Sequence, residues 1–93
     1  MALRVGPYTF NDVTYDGPSD VLYASIGQLP ESSRRERTPE HHVWHFDDRG
    51  RFRGLTLVGP REQLERDGGV FVSLPTGELE RVQGIDLELR KGD

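Results

Sequence analysis

Between residues 10 and 58 the chain alternates short strand-forming runs with clusters of turn formers, which restricts it to a small sheet built of hairpins. Phe10, Val13 and Tyr15 precede Asp16-Gly17-Pro18-Ser19, and an apolar-rich run from Val21 to Ile26 follows. Strand side chains alternate, so Val21, Tyr23 and Ser25 fall on one face and Leu22, Ala24 and Ile26 on the other. A strand that is apolar on both faces belongs inside a sheet. A second hairpin is expected where His42 to Phe46 and Arg53 to Val58 flank Asp47-Asp48-Arg49-Gly50, with Gly50 placed to supply the positive φ of the turn. With Trp44, Phe46, Leu55 and Leu57 facing the core, His45, Asp47 and Thr56 share the opposite face; a register slip of one residue would break that grouping.

The remaining segments carry weaker patterns. Residues 29–40 (LPESSRRERTPE) hold two prolines and a charge run with no apolar periodicity, so a flexible, solvated loop is expected there. Such a loop is long for so short a chain and is a place to look for a partner surface. Gly59-Pro60 opens PREQLERD, where Pro at the first helical position and Glu62 in the first turn predict a helix that Gly68-Gly69 ends. A strand at 70–74, a turn at 75–77 and a return strand at 79–82 follow. Ile85, Leu87 and Leu89 alternate with Asp86, Glu88 and Arg90, the pattern of a half-buried strand. The expected fold is a mainly β, β-rich α+β single domain: a small antiparallel sheet with one short helix.

Ninety-three residues leave room for one small core, which hides only about 60–70% of the unfolded chain's surface. Eight aromatics are available to pack it, and 17 Gly and Pro residues suit many turns. No cysteine is present, so neither disulfides nor thiolate metal sites brace the fold. No apolar run approaches the ~18 residues that span a bilayer and no signal-like segment follows Met1, so a soluble, cytoplasmic protein is expected. Eleven of the twelve basic residues are Arg, a bias common in GC-rich bacterial genomes.

Two blocks, VTYDGPSDVLY (13–23) and FDDRGRFRGLTL (46–57), resemble the small bacterial family catalogued as domain of unknown function 2283. The resemblance covers residues 13–58, with Tyr15, Asp16, Asp20, Leu22 and Tyr23 matching the first motif and Asp47, Gly50 and Gly54 the second. Thr56 stands where that family often has an acid, and His45 where another polar residue is frequent. The resemblance implies a small β-rich fold with no established activity, and a role as regulatory or neutralising partner of a toxin-like protein.

Chemistry-bearing residues are few. His41, His42 and His45 beside Asp47 and Asp48 suggest a metal site, but His41 and His45 on one strand face lie about 13 Å apart, whereas Zn–N bonds are about 2.0–2.1 Å. No metal site is expected, and solvent-facing or edge histidines fit better. Asp16, Asp20, Asp47 and Asp48 all border turns, where aspartate usually bonds its own backbone. None of Ser19, Ser25, Ser32, Ser33 or Ser73 lies in a nucleophile elbow, and no phosphate-loop or dinucleotide fingerprint is present, so no catalytic residue and no cofactor are assigned. Arg34, Arg35 and Arg37 form one basic cluster and Arg49, Arg51 and Arg53 another, but Glu31, Glu36 and Glu40 interleave with the first and the net charge is −4. Nucleic-acid binders present a coherent positive field, so an acidic protein partner suits Arg34, Arg35 and Arg37 better.

The chain is therefore expected to be a non-catalytic protein-interaction or self-associating module, with a protein partner or a homodimer using a sheet face and the 29–40 segment. The alternative is a small enzyme or ligand-binding protein with a site around Tyr23, His45 and Asp47.

Overall fold

The computed structural model describes residues 3–26 and 34–91. Among these residues nine strands form two antiparallel sheets. The first orders β2 (Tyr8–Phe10), β1 (Leu3–Val5), β9 (Leu79–Gln83) and β8 (Phe71–Ser73); the second orders β3 (Asp12–Asp16), β4 (Val21–Ser25), β7 (Phe52–Val58), β6 (Val43–Phe46) and β5 (Arg34–Arg37). Helix α1 (Pro60–Asp67) links the second sheet to β8, and α2 (Ile85–Lys91) follows β9. The protein is mainly β, as expected, and both hairpins are present: β3 pairs with β4 and β6 with β7.

One apolar cluster joins the sheets. Leu22, Ala24, Trp44, Phe46, Leu55 and Leu57 from the five-stranded sheet meet Leu3, Val5, Val72 and Val82 from the other. Phe52 sits among the rings of Tyr8, Trp44, Phe10 and Phe46 at centroid distances of 4.4, 4.7, 5.4 and 6.4 Å. Strict alternation from Leu55 would turn Phe52 outward. A register shift between His45 and Phe46 pairs Phe46 with Phe52 and His45 with Gly54, and this bulge lets Phe52 face the core.

Backbone groups on the outer side of β8 are paired by side chains rather than by another strand. Trp44 Nε1 donates to the Ser73 carbonyl at 2.7 Å, Gln63 Nε2 donates to the Phe71 carbonyl at 3.3 Å, and the Ser73 N–H and hydroxyl donate to Glu40 at 2.7 and 2.8 Å. Burial opposes ionisation of Glu40, but the Ser73 and Thr38 hydrogen bonds outweigh it and hold its carboxyl below the ordinary value. The seam satisfies an exposed sheet edge and binds it to the other sheet.

Helix α1 has the predicted bounds, with Pro60 at its start and Gly68 in the left-handed conformation at its end. Its N-terminus is capped from outside the local sequence: the Asp20 carboxylate accepts the Arg61 and Glu62 amides at 3.0 and 3.2 Å and the Tyr15 hydroxyl at 2.7 Å. Burial raises the Asp20 pKa, and these bonds with the Arg61 charge lower it further than burial raises it.

Three expectations need correction. The segment from Ile85 is a helix, not a strand: Ile85, Glu88 and Leu89 are buried at helical spacing while Leu87 is exposed, so the described residues hold two helices. Within the expected 29–40 loop, Arg34–Arg37 is an edge strand paired with β6; all four residues are exposed, so no apolar alternation marks it. Residues 29–33 of that loop lie outside the described residues. Finally, His42 is not an edge histidine but is wholly buried.

Candidate functional site

The second sheet has a core face and an outer face. Cross-strand pairing aligns Thr14, Tyr23, Thr56, Val43 and Arg37 in one row on the outer face, and Asp12, Ser25, Gly54, His45 and Arg35 in the next. Gly54 has no side chain, so the second row is hollow in the middle. Tyr23, Arg35, Arg37, Val43, His45 and Thr56 line the resulting open groove of about 590 Å³. Its floor is apolar and hydroxyl-bearing, and its β5 side carries two guanidinium groups.

Within the groove His45 Nε2 lies 2.8 Å from the Thr56 hydroxyl. Burial depresses the His45 pKa, and the nearby Arg35 charge depresses it further, so the ring is neutral at neutral pH. Tyr23 is 51% exposed and Val58, farther along the same face, 45%. Arg35 and Arg37 form no ion pair with a described residue.

The sequence-derived candidates separate here. Tyr23 and His45 share the groove, but Asp47 does not. The strand ends at Phe46, and Asp47 turns into the hairpin loop, where it is 5% exposed. Its carboxylate accepts the Arg49 and Arg51 amides at 2.9 and 2.8 Å and Arg51 Nε at 3.0 Å, with Arg53 Nε at 3.4 Å. Burial disfavours the charge, but those amides and Arg51 lower its pKa overall. Asp47 thus organises the turn, and Arg51 and Arg53 are engaged by it.

Arg34 likewise separates from Arg35 and Arg37. Alternation sends it to the other face, where its guanidinium lies 5.3 Å from the centre of the Phe46 ring and 3.7 Å from Glu36. Thr56 lies beside His45, as strand alternation in the sequence predicts, whereas the groove residue Val43 was recognisable only once β6 was aligned with β5 and β7, because its residue type signals no site alone.

His42 occupies the interior. The Val58 amide donates to its Nδ1 at 3.1 Å, which leaves Nε2 protonated and donating to Gln63 Oε1 at 3.0 Å. Among the described residues no three His, Cys, Asp or Glu side chains are grouped to hold a metal ion, and no helix is long and apolar enough to cross a membrane.

Chemically the groove offers a neutral imidazole, two hydroxyls and two cations, with no carboxylate in its lining among the described residues. That set has the chemistry to pair with an anionic or hydrogen-bond-accepting group. The Thr56 and His45 pair has the geometry of a nucleophile and base, and among the described residues no carboxylate of the groove orients the imidazole. No family model, curated protein or solved structure matches this chain.

Proposed function

We infer that the protein is a binding module whose contact surface is the outer face of the five-stranded sheet. The observation that carries this reading is the combination of exposed Tyr23 and Val58 with Arg35 and Arg37, which form no ion pair with a described residue, on one sheet face. Aromatic residues and arginine are enriched at protein interfaces, where they supply most of the binding energy. The alternative of a small enzyme or ligand site around Tyr23, His45 and Asp47 loses one of its three members, since Asp47 is committed to its turn. A toxin-like partner, implied by the motif resemblance, would be one member of this class. The rival small-ligand reading retains Tyr23 and His45 in the same groove without Asp47.

The test is affinity capture from extracts of the source organism with the wild-type chain and with Tyr23→Glu, which places a charge on the exposed face. Circular dichroism should be unchanged, because the side chain lies outside the core. The wild-type chain should retain a stoichiometric protein, or a second copy of itself, and Tyr23→Glu should lose it by about tenfold or more. Equal capture by both would refute the outer face as the contact.

A further inference from the structure

We propose that the partner segment is an extended acidic peptide that adds to β5 at the edge where the sheet ends among the described residues, with carboxylates at alternate positions meeting Arg35 and Arg37. This rests on the binding reading above and specifies its chemistry. Thr38 donates its N–H to the His42 carbonyl at 2.8 Å, so residues 38 and 42 are a hydrogen-bonded pair. In an antiparallel ladder such pairs alternate, which makes 36 with 44 and 34 with 46 the next hydrogen-bonded pairs. The backbone N–H and C=O groups of Arg35 and Arg37 therefore point away from β6, towards the edge at which the sheet ends among the described residues. The two residues whose backbone groups point to that edge are also the two β5 residues whose side chains line the groove.

An added strand would form its hydrogen bonds with Arg35 and Arg37. Its residues directly opposite them would project to the same face, beside the guanidinium groups. Successive side chains on that face are about 6.6–6.8 Å apart on both strands, so a peptide with an acid at every second position matches the arginine spacing without strain. The other side of the groove supplies Tyr23, Thr56 and His45 to the partner's longer side chains. Asp12 and Asp16, the acids of this face, stand on β3 at the opposite edge of the sheet.

The same register argues against a second copy on this edge. The outward-bonding residues of two β5 strands are Arg35 and Arg37 in each, so hydrogen-bonded pairing would set arginine directly opposite arginine. A neutral peptide leaves both cations without counter-charges. An acidic strand satisfies the backbone edge and the charges together, and charge-assisted bonds are about twice as strong as neutral ones.

The experiment measures fluorescence anisotropy of a labelled octapeptide of alternating Glu and Thr at near-physiological ionic strength, with amide hydrogen exchange on the complex. Saturable binding is expected, with slowed exchange at the Arg35 and Arg37 amides. The double variant R35Q/R37Q should weaken binding by about tenfold or more, while R34Q, on the other face, should leave it unchanged. Equal binding of the Gln and Thr peptide, an equal loss with R34Q, or protection elsewhere would overturn the proposal. So would tighter binding of a single-stranded oligonucleotide of equal charge, which would assign the cations to phosphate. If the peptide fails while Tyr23→Glu still abolishes partner capture, the acidic strand is wrong and the binding face stands. If Tyr23→Glu leaves capture intact, the binding face itself is wrong.

Discussion

Trp44→Ala is expected to lower folding stability by about 3–5 kcal/mol, the usual cost of emptying a large aromatic site in a core. Net stability of domains is about 5–15 kcal/mol, so the variant should lose about a fifth or more of it, and all of it where the wild type stands at the low end of that range. Trp44 acts in two ways. Its ring packs against Phe52 and Tyr8 at 4.7 and 5.7 Å, and its indole N–H donates to Ser73 on the other sheet. Trp44→Phe separates the two roles: it keeps an aromatic ring but strands the Ser73 carbonyl, a loss of about 1–3 kcal/mol. Urea denaturation of the three proteins checks both values. Near-equal stability of Trp44→Phe and wild type would show that the bond between the sheets contributes little.

The second large effect is acid destabilisation through His42. Burial pushes its pKa below the ordinary 6.5, against the opposing influence of Gln63 and the Glu40 carboxylate; the neighbouring His41 acts in the same direction as burial. Above pH 6.5 the ring is neutral in both folded and unfolded chains, and the full stabilisation is present. Below it the unfolded chain binds a proton that the folded one excludes, so stability falls until the pH passes the folded-state pKa. His45, also lowered, adds to the same slope. Glu40 and then Asp20 and Asp47, whose pKa values lie below the ordinary 4.5 and 3.8, extend the loss at more acid pH, where the unfolded carboxylates take up protons first. Urea midpoints should therefore decline from pH 7 to 5.5.

His42→Ala should be less stable throughout, because the Val58 N–H and Gln63 Oε1 lose their partner at about 1–3 kcal/mol each. Its dependence on pH should be shallower, with His45 supplying what remains. A wild-type midpoint that rises on acidification would contradict a neutral buried His42.

How far the sequence discloses the fold follows from how much each segment depends on its own residues. The Asp47 to Gly50 turn and helix α1 carry local signals, a positive-φ glycine in one and Pro60 with Gly68 in the other. They were legible because backbone conformation there is decided by side chains within a few residues. The α2 segment was misread because Ile85, Leu87 and Leu89 fit spacing 2, while Ile85 and Leu89 also fit a helix. Only the core shows which pair is buried. Strand β5 was hidden because an edge strand with both faces in water has no apolar period to display.

The site was legible in part for a similar reason. Tyr23 and His45 fell on one surface through strand alternation, which the sequence carries. Asp47 did not, because the chain left the strand one residue earlier and its carboxylate was captured by the Arg49 and Arg51 amides. The motif residues Tyr15 and Asp20 found a structural use, joining β3 and β4 to the start of α1. Of that motif, Tyr23 is the side chain that reaches the groove.

The most direct measurement is photocrosslinking in cells with benzoylphenylalanine in place of Tyr23 and, separately, in place of Leu79. Leu79 is the more exposed, at 61% against 51%, but belongs to the other sheet. A defined adduct, foreign or of a second copy, should form from position 23 and not from 79. Adducts of equal yield from both positions, or from 79 alone, would contradict the outer face of the five-stranded sheet as the binding surface.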